Sequence, residues 1–326
     1  MSLSQKVYPH ANTVVAMEDA KLLKQNQYHL LLNADGLQTT LDILNRTNYF
    51  HTYKHAQTDN YSQMLDELMI DTFGLLREIA PKALVWHIFA LYYDMHNIKL
   101  AVKERLMGRT LDRFFLRYGR YSMPTIRSAA VRESDDILQN KVLTAGLFQA
   151  LRQEDVHDVD FVLDKTYLHG LRSMAEDLGV PEIVGFVVER IDLFNVSVYF
   201  QCLAHGSPEG YFAKAFSPHG SVDLAEWQAH IAGKAPGEIS EFPLWARYRP
   251  IWENTDMYSL IDVGIDNYLI GMTKGAKLMS FGLIPLCAYF FNKFMEIKNI
   301  RILLNGKERK YQTEEIKSRM RIAYEL

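Results

Sequence analysis

The chain has 326 residues, of which 48% are hydrophobic and 23% charged, and its formal net charge is −3. A chain of this length buries roughly three quarters of its unfolded surface and needs no staples, and its charge balance carries no basic footprint of a nucleic-acid binder. Two cysteines, Cys202 and Cys287, fall inside apolar predicted helices and read as reduced, buried thiols in a cytosolic setting, not as a disulfide frame.

Taken in order, residues 11–32 read as helix, with Val14, Val15, Leu22, Leu23 and Leu30 to Leu32 apolar. Asn33-Ala34-Asp35-Gly36 stops it, and Asp35 is placed to cap a helix from Leu37 to Leu44. A turn follows at 45–48, then a polar loop from His51 to Asp59 and a helix from Gln63 to Ile79. No apolar segment of a leader peptide follows Lys6. The longest uncharged run, Leu278 to Asn292, contains Pro285 and falls short of the ~20 residues a spanning helix needs. The chain is therefore not expected to cross a membrane by itself.

Three later stretches repeat one pattern. Pro81 opens an apolar helix that carries Asp94 and Asn97 and closes at Gly108. Pro181 opens a second, with Asp192 and Asn195, closing at Gly206, and Pro285 a third, with Glu296 and Asn299, closing at Gly306. Proline fits the first helical turn, and glycine closes the last in the left-handed conformation. Acid and Asn lie three apart, so they share a face. Asn is a poor helix former because its amide competes for backbone partners, so its threefold recurrence inside a helix has a cause. Either each amide ties its helix to a neighbouring segment within the repeat, or three amides line a binding surface. Buried polar groups find partners within their own fold, which favours the tie. The helix before each copy adds a weaker echo, an acid followed by an aromatic: Asp71 and Phe73, Asp164 and Tyr167, Asp266 and Tyr268.

The repeats divide the chain into 1–125, 126–216 and 217–326, with breaks at Met123-Pro124-Thr125 and around Gly206-Ser207-Pro208. Asp160 to Leu178 reads as helix ended by Gly179; 233–237 and 242–245 read as loop; Asp256 to Lys277 reads as helix. Thr313 is placed to cap a last helix with Glu314 and Glu315 in its first turn. No alternating strand segment stands out, so the expected fold is all-α, three related helical units. Behind the first Asn, the cations Lys99, Lys103, Arg109, Arg113, Arg117 and Arg120 recur in steps that place most of them on one helical stripe, read as either a partner-binding surface or a solvated face.

Reactive chemistry is missing. Gly306-Lys307 and Gly233-Lys234 lack the remainder of a phosphate loop, and no His-Glu-x-x-His, Cys-x-x-Cys or Gly-x-Ser-x-Gly occurs. His51 and His55 have the i, i+4 spacing of a metal pair but no third ligand. No catalytic residue, metal or cofactor is expected. An all-helical metal enzyme built on these two histidines is the reading against that expectation.

The triple pattern, together with Tyr8-Pro-His-Ala-Asn12, Leu32-Asn-Ala-Asp-Gly-Leu37 and the segment from Glu296 to Gly306 with Glu314-Glu-Ile-Lys317, resembles the C-type component of V/A-type rotary ATPases, the prokaryotic counterpart of the d-type component in the eukaryotic vacuolar enzyme. Copy two departs locally, with Ser197 where the others have Lys99 and Arg301. The resemblance implies a funnel of three helical subdomains about a pseudo-three-fold axis. It implies a non-catalytic rotor part in the central stalk, joining the shaft proteins D and F to the membrane proteolipid ring. It also implies a peripheral position on the cytoplasmic face, no direct nucleotide binding and no nucleic-acid partner. A helical scaffold component of another complex is the alternative.

Overall fold

The computed structural model describes residues 8–47, 49, 57–80, 82–132, 138, 140–205, 208–231, 243–252 and 260–323. Among them every regular element is helical. The α-helices are α1 (Pro9–Asp19), α2 (Gln25–Asn33), α3 (Gly36–Asn45), α4 (Tyr61–Ile79), α5 (Ala83–Met107), α6 (Met123–Arg132), α7 (Lys141–Leu151) and α8 (Val156–Leu178). They continue with α9 (Pro181–His205), α10 (Pro208–Ala215), α11 (Leu224–Ile231), α12 (Pro243–Arg247), α13 (Arg249–Trp252), α14 (Ile261–Thr273), α15 (Ile284–Glu308) and α16 (Thr313–Arg319). The three signature stretches are α5, α9 and α15, each of 25 residues. Each mixes apolar residues all round its circumference, the pattern of a helix buried on most sides.

Several boundaries differ from expectation for identifiable reasons. The helix expected over 11–32 is two helices, because the chain turns between α1 and α2 to bury Leu22 and Leu23. Asp35 stands at the N-cap of α3 without a side-chain capping bond, and Thr313 is the first residue of α16 with Gln312 at the cap position. Gly108 and Gly179 close α5 and α8 with φ of +63° and +68°. Gly306 does not close α15, which runs on to Glu308 and ends where Lys310 takes φ +57°. A Cβ at Gly306 would sit 2.6 Å from Ile316 Cγ1, so this glycine admits α16 against α15. The helix expected over 256–277 is α14 followed by a 3-10 turn, Lys274–Leu278. Helices α6, α7 and α10 to α13 were not individually expected. The expectations for 51–56, Pro81, Gly206 and 233–237 fall outside the described residues.

Cα packing separates two compact units, residues 1–83 with 254–326, and residues 84–253. In the first, α15 is the central element and packs against α1, α3, α4, α14 and α16. Leu31, Leu41, Leu65, Phe73 and Phe290 are fully buried there, and Phe73 stacks on Phe294 at 5.0 Å. In the second, α8 packs between α7 and α9, and α10 covers α9. Its core holds Tyr199, Phe212, Trp227 and Tyr248. Each such aromatic or leucine contributes about 1.5–3 kcal/mol by leaving water.

The unit boundary cuts the first sequence repeat between α4 and α5. Packing explains this. In the first unit Arg301 of α15 pairs with Asp66 of α4 at 2.7 Å. In the second, Lys99 of α5 pairs with Asp164 of α8 at 2.6 Å, and Lys103 with Asp160 at 2.8 Å. In both cases a signature helix takes the leading helix of another repeat as its partner, so a repeat is a unit of likeness and not of compactness.

The close approach of α7 and α8 rests on Gly146, where a Cβ would lie 2.2 Å from Thr166 Oγ1 and 2.3 Å from its Cγ2. Gly146→Ala is expected to destabilise the protein by about 1–3 kcal/mol through overpacking. Gly185→Ala on α9, where nothing lies within 4 Å of the new methyl, is expected to stabilise by about 0.5–1 kcal/mol through helix propensity. Urea unfolding of the two variants checks both signs.

Candidate functional site

The three signature asparagines make the same contact. Asn97 Nδ2 donates to the Leu116 carbonyl at 2.7 Å, and the Leu116 N–H donates back to Asn97 Oδ1 at 2.9 Å. Asn195 does this with Ser217, at 3.0 and 2.9 Å, and Asn299 with Arg321, at 3.0 and 2.8 Å. The partner lies 19, 22 and 22 residues further along the chain. In each case a helix leads into a segment that returns beside it in non-helical conformation. Such a segment has no ladder of its own, and a buried backbone group left unpaired costs about 1–3 kcal/mol. A carboxamide carries one donor and one acceptor on adjacent atoms, so it satisfies both groups of one residue at once. The asparagines are almost fully buried, and Asn195 is wholly so.

The acid one helical turn earlier holds the same segment at a second point. Asp94 accepts from Arg120 N at 2.7 Å and from Arg120 Nε at 2.8 Å. Asp192 accepts from Ser221 N at 2.7 Å and from Ser221 Oγ at 2.6 Å. A glycine precedes each donor, and it is required: a Cβ at Gly119 would stand 2.4 Å from Asp94 Oδ1, and one at Gly220 2.2 Å from Asp192 Oδ1. The third copy is different. Glu296, longer by one methylene, receives the Leu23 N–H at 2.5 Å and pairs with Lys293 at 2.7 Å. It holds the segment ahead of α2 and not the one after α15. Here Arg321 is bound through Asp266 of α14, at 2.8 Å, and Asp266 also takes Lys298 at 2.8 Å.

Burial sets the local electrostatics. It pushes the Asp94 carboxyl above the usual range, against the pull of Arg120, and raises Asp192 against its bonds to Ser221. Burial and the charge of Arg120 hold His87 down at about 4. Burial also pulls Asp266 upward, but Lys298 and Arg321 together outweigh it and its carboxyl lies below the usual range.

The basic run does not form one helical stripe. Helix α5 ends at Met107, and Gly108 turns the chain into an irregular segment with a 3-10 turn at Asp112–Phe114. Lys99 and Lys103 are taken up by the α8 acids, and Arg120 by Asp94. Arg109, Arg113 and Arg117 remain, all exposed, with Arg113 lying over the exposed Phe114 ring at 4.6 Å. They meet no acid among the described residues.

The acids are locked by backbone and cationic donors, the amides by backbone, and no cluster of three metal-binding side chains occurs among the described residues. His51 and His55 lie outside those residues, and Cys202 is a buried thiol that burial pushes up to about 11. The sequence pattern singles out Asp94, Asn97, Asp192, Asn195, Glu296 and Asn299 but not Leu116, Ser217 and Arg321, whose main chain is held, nor the glycines Gly119 and Gly220. The signal was present as Tyr118-Gly-Arg120 and His219-Gly-Ser221, each a glycine followed by a donor at the same step past the held residue.

A family model described as ATP synthase (C/AC39) subunit matches residues 11–319. The chain is similar to the C-type component of the V-type sodium ATPase of Enterococcus hirae, at 24% identity over 98% of this chain and 99% of that protein. It is similar also to the C-type component of the A-type ATP synthase of Methanocaldococcus jannaschii, at 23% identity over 95% and 85%. That of Methanococcoides burtonii matches at 22% identity over 98% and 89%.

Two outcomes follow from the clamps. Asn195→Leu strands both main-chain groups of Ser217 and is expected to cost about 1–3 kcal/mol for each. Asn195→Asp, equal in size but without the donor, is expected to destabilise as well. Chemical denaturation of both variants reads this, and unchanged stability would contradict the tie. Asp266→Asn is expected to cost about 1.5–3 kcal/mol at neutral pH by weakening charged hydrogen bonds. Because the folded pKa of Asp266 lies below its unfolded value, its contribution is present above the unfolded pKa and is lost as pH falls through the folded one. The gap between wild type and variant should therefore narrow on acidification, as followed by thermal melts across a pH series.

Proposed function

Since the chain belongs to the ATP synthase (C/AC39) subunit family, we propose that it is a non-catalytic rotor part of a V/A-type rotary ATPase, joining the D–F shaft to the membrane proteolipid ring. The family match over nearly the whole chain carries this reading. The structure is compatible with it in kind. No described helix is long and apolar enough to cross a membrane, the fold among the described residues is all-α, and the signature asparagines hold non-helical segments to helices. A part that transmits torque needs stiff walls and broad contact faces, and close-packed helices pinned by two-point clamps provide stiffness without reactive groups. In this reading ATP is handled by other proteins of the complex, and the sequence has no phosphate loop of its own. The protein then works at the cytoplasmic face as a peripheral part of the complex.

Within this reading the exposed cations Arg109, Arg113 and Arg117 supply the positive half of a contact with an acidic partner surface. Lys99, Lys103 and Arg120 do not, because their charges are matched internally. Co-expression with the D–F pair followed by affinity capture is expected to retain this chain. Reversal of Arg113 and Arg117 to Glu is expected to weaken assembly roughly tenfold at low salt and to flatten its salt dependence. Failure of the wild-type chain to be captured would overturn the rotor assignment, whereas unchanged, salt-insensitive assembly of the reversed variant would remove only the arginine surface.

A further inference from the structure

The segment that Asn195 and Asp192 hold at its two ends presents His219 between the anchors. Its imidazole lies flat on that of His169, from α8, with ring centroids 4.3 Å apart and planes 14° from parallel. Arg172, Ser173 and Glu176 follow His169 along the same face of α8, and with Gly220 they line a groove of about 350 Å³ beside the stacked rings. That lies at the small end of the ~300–1,000 Å³ typical of ligand sites. The groove is built from one rigid helix and one clamped loop, so its shape is set before any ligand arrives.

The charges in it are specific. Arg172 gives its Nε–H to Glu176 Oε1 at 2.8 Å, which engages the only acid in the lining and leaves the terminal guanidinium N–H groups with no partner among the described residues. Two stacked imidazoles cannot both be cationic without repulsion. With the rings neutral, the groove holds one guanidinium and one carboxylate and has no net charge. When the rings take up protons, the one carboxylate in the lining, Glu176, is already paired with Arg172, and the added positive charge is not fully matched. A ligand bearing two negative charges supplies the offset.

We propose that the groove formed by His169, Arg172, Ser173 and His219 is a binding site for a dianionic oxyanion, a phosphate or sulfate group, whose binding is coupled to protonation of His219. Burial lowers His219, with His169 and Arg172 adding to the effect and Glu176 opposing it; the oxyanion reverses this balance. The site uses none of the signature side chains and none of the exposed arginines Arg109, Arg113 and Arg117, and it does not depend on the rotor reading.

Sulfate is the probe, because its charge is constant across the range in which histidine titrates. Calorimetric titration of the full chain with sodium sulfate, at ionic strength fixed with sodium chloride, is expected to show one saturable site. Affinity should be at least about tenfold tighter at pH 6 than at pH 8. Imidazole NMR is expected to show sulfate raising the pKa of His219 above its value in chloride. His169→Gln, at an exposed position on α8, and Arg172→Gln are each expected to weaken binding at least about tenfold while leaving the helical circular-dichroism signal unchanged. Parallel titrations at pH 7 with inorganic phosphate and with AMP, each compared per dianion present, separate the sources: tighter binding of the AMP dianion assigns a phosphoryl ester, and equal or weaker binding assigns the free ion. Absence of saturable sulfate binding at pH 6, or binding untouched by both substitutions, would overturn the proposal.

Discussion

A carboxamide that pairs with both main-chain groups of a single residue is the contact on which this architecture turns. Helices satisfy their own backbones, but the segments returning from one helix to the next do not, and here they are drawn in against helices at the core. Asn97, Asn195 and Asn299 each supply the missing donor and acceptor together. The pairing is short, two-pointed and buried, so it fixes both the position and the orientation of the held residue. In the second signature copy it stations His219 against His169.

The clamps also account for where the repeats agree and where they diverge. Copies one and two pair an aspartate with a donor that follows a glycine, and the glycine is needed because the carboxylate occupies the space of a Cβ. Copy three replaces aspartate with Glu296, and the added reach turns the carboxylate to the Leu23 N–H. Arg321 is then held through Asp266 instead. The amide is the invariant element and the acid is the adjustable one. This is the order expected if the amide serves a backbone that every copy must bury, while the acid serves whichever segment lies nearby.

Much of this was legible in the sequence and some was not. The helices α9 and α15 announce themselves through proline starts, and α5 with them through apolar runs, and the clamp side chains through a polar residue in a place where propensity disfavours it. The segments they hold were not legible, because a held main chain leaves no mark on its own side chain: Leu116, Ser217 and Arg321 share nothing but position. The basic run misled for a related reason. Steps of four residues suggest a helix, but Gly108 ends α5 before the run is half complete, and partners distant in sequence, Asp160 and Asp164, claim the two lysines. The unit boundary between α4 and α5 was hidden because it follows packing between repeats, as with Arg301 and Asp66, and not the repeats themselves. The stacked histidines are equally silent in one dimension, since His169 and His219 lie far apart in the sequence and on different elements.

Amide hydrogen exchange, resolved residue by residue in the full chain, tests the clamp most directly. The N–H groups of Leu116, Ser217 and Arg321 lie outside every helix, so local structure alone gives them no protection. If the asparagine amides hold them, they should exchange as slowly as amides inside α5, α9 and α15, well behind their immediate neighbours. Exchange at the pace of the surrounding loop at all three positions would contradict the account.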